Sequence, residues 1–222
     1  GLEDLNERCA EYAAIGAKFT KWRAVIKIGN DIPTQECIDA NMKALADYAK
    51  IVQTNNMVPI VEPEVLMDGE HSAQSCFEAT ANCLKTLFSM LDANDVNLKG
   101  TILKPNMIVS GTDAPIQASV SEVAELTLKV LKENVPSDLA GVAFLSGGQP
   151  DLLATEHLDA MNKIGGLPWP LSFSYGRALQ QPALKAWMGQ LDNKEAAQEA
   201  FSHRALMNKL ASKGEWQKDL EN

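Results

Sequence analysis

Histidine and cysteine are scarce and scattered. The three histidines are His71, His157 and His203, and the four cysteines are Cys9, Cys37, Cys76 and Cys83. They form no CxxC, HxH or HExxH pattern, so no catalytic metal is expected. The cysteines read as free thiols of a reducing compartment rather than a disulfide framework. Basic residues are outnumbered by acidic ones, 20 to 29, for a net charge of −9. That deficit argues against nucleic-acid binding, which depends on Lys and Arg neutralising phosphates. A small anionic ligand in a locally basic pocket stays open. No apolar run approaches the ~18 residues of a membrane span, and no signal peptide is visible. The chain opens on Gly1 in a helical pattern and reads as an interior start. No Ser/Gly/Pro-rich linker or low-complexity tract interrupts it, so residues 1–222 are expected to form a single domain. With 45% hydrophobic residues, the chain can bury a substantial core.

What is present alternates in period. Leu2, Leu5, Cys9, Tyr12 and Ala13 recur at helical spacing over 2–16, with Gly16 at the end. Residues 19–28 read as a strand. Helix is expected over 34–54, with Thr34 as a candidate N-cap and Met42, Leu45, Ala49 and Val52 on one face. Strand follows at 57–62, helix at 71–92 and strand at 100–104. Ser119 and Glu122 have capping-box spacing ahead of an apolar run over 123–131. Then come strand 141–146, helix 150–163, strand 169–175, and helices near 177–189 and 193–212. Five β-to-α alternations imply a parallel sheet with crossover helices. Both an open doubly wound sheet and a (β/α)₈ barrel fit that order.

Polar residues at the strand ends favour the barrel. Lys21 and Arg23 stand two apart, on one face of the first strand. The second strand ends in Glu62-Pro63-Glu64, the third in Lys104-Pro105, the fourth in Ser146-Gly147-Gly148, and the fifth in Ser174-Tyr175-Gly176-Arg177. A Lys or Glu at one strand end is commonly a solvated edge, and a lone Ser-Gly-Gly is commonly a turn. Recurrence at near-regular intervals is different. A ring of polar groups at strand C-termini is where a barrel enzyme keeps its chemistry, whereas an open sheet gathers ligand contacts at one switch point. The last two loops, with their glycines and Arg177, suit a phosphate.

A lysine flanked by carboxylates and cations suggests carbonyl chemistry. An imine-forming lysine must spend time as the neutral amine, which burial and neighbouring positive charge both favour. Lys104 is the candidate, Lys21 and Arg23 supply the charge, and Glu62 suits the general acid/base role.

At this point the sequence resembles class I (Schiff-base) fructose-bisphosphate aldolases. Those proteins carry the imine lysine in a segment like V-x-L-E-G-x-L-L-K-P-N, and here residues 96–106 read VNLKGTILKPN. FTKWR (19–23), VPIVEPE (58–64), FLSGGQ (144–149) and FSYGRALQ (173–180) resemble the family's other strand-end motifs, in its order. The likeness runs from Gly1 to about residue 214. It implies a (β/α)₈ TIM barrel of which this chain supplies about the last five β/α units, roughly the C-terminal three-fifths of such a protein. By resemblance, Lys104 is the Schiff-base lysine and Glu62 the main acid/base. Lys21 assists carbinolamine chemistry and bond cleavage, and Glu64 is a supporting carboxylate. Arg23, Ser146, Gly147, Ser174, Gly176 and Arg177 contact substrate and phosphate. The implied reaction is glycolytic and gluconeogenic: reversible cleavage of fructose 1,6-bisphosphate to dihydroxyacetone phosphate and glyceraldehyde 3-phosphate. No cofactor and no metal are implied. A cytoplasmic homotetramer is, with plastid forms in plants, and no nucleic-acid or membrane partner.

Two departures from the family stand out. Lys99 replaces a usual Glu ahead of the third strand. The family's first three strands and its C-terminal tail ending in Tyr have no counterpart in this sequence, which closes on GEWQKDLEN. Five strands do not close such a barrel, so this chain alone is expected to be poorly stable or aggregation-prone unless something completes it. Two other readings accompany the leading one: another Schiff-base barrel enzyme, such as a transaldolase or a sugar-phosphate aldolase of different specificity, and a catalytically silent fragment acting as a binding or scaffold partner.

Overall fold

The computed structural model describes residues 1–221. Helix α1 (Leu5–Ala14) precedes five β/α units. The strands are β1 (Phe19–Ile26), β2 (Val58–Val65), β3 (Ile102–Leu103), β4 (Gly141–Phe144) and β5 (Leu171–Phe173). The helices between them are α2 (Gln35–Thr54), α3 (Ala73–Ala93), α4 (Val120–Asn134) and α5 (Asp151–Ile164). After β5 come α6 (Arg177–Trp187) and α7 (Lys194–Ala211).

All strand pairs are parallel, and the sheet order is β1-β2-β3-β4-β5. That order decides between the two architectures. A doubly wound sheet reverses its order at a switch point, whereas strands that add in one direction trace the arc of a barrel. Side-chain parity agrees. On one face Val61, Leu103, Val142, Phe144 and Leu171 are almost fully buried beneath the helices. On the other face Ile102, Ala143, Ser172 and Ser174 are only half-buried. β1 follows the same rule: Trp22 packs on Tyr48 of α2 with ring centroids 5.4 Å apart, while Phe19, Lys21, Arg23 and Val25 face the other way, exposed.

The helix starts follow capping chemistry. The Cys37 amide donates to Thr34 Oγ1 over 3.2 Å at the head of α2. At α4 the Ser119–Glu122 box is complete in both directions. The strands are less regular than the sequence suggests. β2 runs on to Val65, past Glu62 and Glu64, whereas β3 has only two residues.

Proline explains the short strand. The Lys104 amide still donates to the Val61 carbonyl over 2.8 Å. Beyond it Pro105 has no N–H, and neither does Pro63 on β2, so the ladder stops. A side chain resumes it. Asn106 is buried, its Oδ1 accepts from the Val65 amide over 3.0 Å, and its Nδ2 donates to Thr80 Oγ1 and the Met107 carbonyl, both at 3.1 Å. The Glu-Pro-Glu and Lys-Pro-Asn segments are thereby fixed to each other.

Candidate active site

The unoccluded face of the sheet carries the charged groups. β1 and β2 pair with Arg23 opposite Glu62 and Val25 opposite Glu64, so both carboxylates project on the same face as Lys21 and Arg23. Lys104 follows β3 directly and joins them. Glu62 lies between two ammonium groups: Oε1 is 3.1 Å from Lys104 Nζ, and Oε2 is 3.1 Å from Lys21 Nζ. Neither approach has hydrogen-bond angles, and Oε2 has no hydrogen-bond partner. The carboxylate is thus close to two proton donors without being locked to either.

Burial separates the roles available to these groups. Glu62 and Glu64 are buried, and the Lys104 side chain is 12% exposed, against 41% for Lys21 and 46% for Arg23. Arg23 donates its Nε to Glu64 Oε2. That hydrogen bond lifts the guanidinium above its ordinary value, so the charge is permanent.

A cavity of about 280 Å³ is lined by Arg23, Glu62, Glu64, Lys104, Leu145, Ser146, Gly147, Ser174, Gly176 and Arg177. Nine of the ten residues proposed from the sequence line it, and Lys21 reaches it through Glu62. Lys21, Arg23, Lys104 and Arg177 outnumber the two carboxylates there, giving a basic pocket inside an acidic chain. Leu145 is a wall residue that the sequence reading did not include.

The loop after β4 is a glycine turn that lies against Arg177. Gly147 and Gly148 have φ of +62° and +103°, which side chains rarely adopt, so the turn depends on glycine at both positions. A Cβ on Gly148 would lie 3.3 Å from Arg177 Nη2, so the bare backbone lets the guanidinium come close. Opposite stands the N-terminus of α6, whose N-cap Gly176 contributes no side chain to cover the free amides. Ser146, Ser174, Arg23 and Arg177 supply further donors.

Three residues behind this wall were not singled out from the sequence. Asn106 ties the lysine segment to β2. Gln149 and His157 sit under the glycine turn, with Gln149 Oε1 2.6 Å from His157 Nδ1. Asn106 and Gln149 belong to the quoted Lys-Pro-Asn and Ser-Gly-Gly-Gln segments, but nothing in one sequence tells a buried amide from an exposed one. Among the described residues no group of three or more His, Cys, Asp or Glu side chains is arranged to hold a metal. No helix there is long and apolar enough to cross a membrane.

Comparison with known proteins agrees with this geometry. The family model described as fructose-bisphosphate aldolase class-I matches residues 1–222. A probable fructose-bisphosphate aldolase class 1 of Xylella fastidiosa is 52% identical over 217 residues, covering 97% of this chain and 65% of that protein. Cytosolic fructose-bisphosphate aldolase 4 of Arabidopsis thaliana is 45% identical over 222 residues, covering 100% of this chain and 56% of its own length. The solved Plasmodium falciparum aldolase, in complex with TRAP and a small-molecule inhibitor, superposes with a TM-score of 0.96 at 43% identity. That match covers 98% of this chain and 63% of the other. The chain therefore spans less than two thirds of the length of these relatives.

Proposed function

The chain belongs to the class I fructose-bisphosphate aldolase family, and from that premise we propose that it carries the imine-forming half of an aldolase site acting on a ketose phosphate, with fructose 1,6-bisphosphate as substrate. The observation that carries this reading is Glu62, held 3.1 Å from both Lys104 and Lys21 at the floor of a cationic cavity.

The steps follow from that placement. Lys104 Nζ, as the neutral amine, attacks the ketone carbon. Glu62 delivers a proton to the resulting hydroxyl, which leaves as water and yields a protonated imine. The bond between the carbons α and β to the imine then breaks, its electron pair moving into the iminium. The hydroxyl on the departing carbon gives its proton to Glu62, left ionised by the dehydration, and glyceraldehyde 3-phosphate leaves as the aldehyde. Protonation of the enamine carbon and hydrolysis release dihydroxyacetone phosphate and restore the amine. Lys21 stabilises the ionised Glu62 between proton transfers and assists the carbinolamine step. Glu64 holds Arg23 in place, and Arg23 helps to bind the anionic substrate. Ser146, Gly147, Ser174, Gly176 and Arg177 hold one phosphate. General acid–base catalysis of this kind contributes about 10²- to 10⁴-fold.

The exposed inner face of β1 supports the barrel reading. Phe19 is 62% exposed and Val25 42% exposed on the face that carries the site. Strands that complete a barrel would cover both, as well as the open edges of β1 and β5. Placement in cytosolic glycolysis and gluconeogenesis, and assembly as a homotetramer, extend the same family reading.

The test is a coupled cleavage assay with fructose 1,6-bisphosphate and, separately, fructose 6-phosphate. Lys104-dependent release of a triose phosphate from the bisphosphate is expected. Transfer of a three-carbon unit from fructose 6-phosphate to an acceptor aldehyde would instead identify a transaldolase.

A further inference from the structure

Gln149 is almost fully buried, although it directly follows the glycine turn at the mouth of the site. Its amide N–H donates to the Ser146 carbonyl over 3.0 Å and closes the turn. Its side chain is held from two directions. Nε2 donates to Met107 Sδ over 3.6 Å, and Oε1 is 2.6 Å from His157 Nδ1 on α5. A thioether sulfur accepts but does not donate, so the amide nitrogen belongs on the Met107 side and the oxygen on the histidine side. The ring hydrogen is therefore on Nδ1. Burial keeps the ring neutral by lowering its pKa to about 4, so near neutral pH Nδ1 carries its only N–H.

We infer that His157 is a positioning residue of the site. Its Nδ1–H holds Gln149 and thereby fixes the Ser146-Gly147-Gly148 turn in the form that binds phosphate. This rests on the phosphate reading of that loop given above.

Two features show why the loop needs such a tether. Gly147 and Gly148 occupy positive φ, where glycine has wide conformational freedom, so the glycines themselves do not hold the turn in one form. Behind the turn lies a second cavity, of about 300 Å³, walled in part by Met67, Gly148, Gln149 and His157. Without the hydrogen bond, Gln149 has space into which to withdraw, carrying the turn with it. His157 contacts no substrate in this scheme and acts only through Gln149.

The test compares His157→Leu with His157→Asn. The asparagine Nδ2 branches from Cγ as Nδ1 does, so it can donate to Gln149, whereas leucine cannot. Inorganic phosphate binding is measured by calorimetry. Borohydride trapping of Lys104 is measured at varied dihydroxyacetone phosphate and, separately, at varied phosphate-free dihydroxyacetone. For His157→Leu, about tenfold weaker phosphate binding is expected, in line with loss of a buried hydrogen bond. A similar rise is expected in half-saturation by dihydroxyacetone phosphate, with trapping of dihydroxyacetone unchanged. His157→Asn is expected to restore phosphate affinity to within about twofold of the unsubstituted protein, since it keeps that hydrogen bond. Should His157→Leu fail to fold, Gln149→Leu, which has no polar atom to accept from His157, is expected to give the same selective loss. Unchanged phosphate affinity in the leucine variant overturns the inference, as does an equal loss for both carbonyl compounds or the absence of rescue by asparagine. Phosphate binding of the normal strength without any imine would sink the aldolase reading and leave the His157 comparison decisive. No phosphate binding by the unsubstituted protein would overturn both.

Discussion

Replacing Asn106 by leucine should cost more stability than its single position suggests. The amide side chain spans the gap where two prolines interrupt the β2–β3 ladder. It accepts from the Val65 amide and donates to the Met107 carbonyl and Thr80 Oγ1. Leucine of similar volume leaves no large cavity, so packing loss is a minor contribution. The Thr80 hydroxyl can turn to another partner. The Val65 N–H has no such freedom, the Met107 carbonyl keeps only a long 4.0 Å contact from Cys76 Sγ, and a buried polar group left unpaired costs about 1–3 kcal/mol. The expected loss is about 3 kcal/mol in total, against less than about 1 kcal/mol for Thr80→Val, which removes one neutral partner. Urea unfolding followed by tryptophan fluorescence reads this directly, because Trp169 and Trp216 are buried. The transition midpoint should fall while the slope stays constant. A loss below about 1 kcal/mol in Asn106→Leu would show that the side chain does not carry the ladder.

Three further predictions concern the charged and reactive groups. Glu62→Gln is expected to lower turnover by about 10²-fold or more, and a loss under tenfold would remove Glu62 from the proton-transfer role. His157 has a pKa of about 4 when folded, so the unfolded chain, titrating near ~6.5, takes up the proton first. Stability is therefore full above that value and falls as pH drops towards 4, by about 2 kcal/mol at pH 5. Urea midpoints at pH 7 and pH 5 should show this fall, and His157→Leu should lack it; an equal fall in both would contradict the assignment. With iodoacetamide under native conditions Cys37, the exposed thiol, should be labelled alone. Cys9, Cys76 and Cys83 are buried, and burial pushes Cys83 up to about 12. Rapid native labelling at Cys83 would contradict the packing of α3.

The elements and the site were legible in the sequence to different depths, for physical reasons. Helices with strong periodicity and a cap were legible almost to their ends, as with Thr34 for α2 and the Ser119–Glu122 box for α4. The clustered residues of the candidate site were legible because a Lys or Glu that ends an apolar strand is anomalous by itself, and the anomaly recurs in successive units. Strand ends were harder to read. The two-residue length of β3 follows from two prolines that face each other only after the chain has folded, and the rescue by Asn106 depends on a partner 41 residues away. Gln149 and His157 were illegible for a related reason. A polar residue in a helix such as α5 normally faces water, and only the tertiary fold turns His157 inward beneath the glycine turn. The choice of a barrel arc over a doubly wound sheet rested on strand-end chemistry, and strand order then supplied an independent reason for it.

The most direct measurement of the central claim is covalent. The protein is incubated with dihydroxyacetone phosphate, reduced with borohydride, digested, and the modified residue mapped by mass spectrometry. A reduced adduct on Lys104, abolished by Lys104→Met, is expected. An adduct confined to another lysine, or none under conditions that label a known class I aldolase in parallel, would contradict the assignment of Lys104 as the imine-forming residue of this chain.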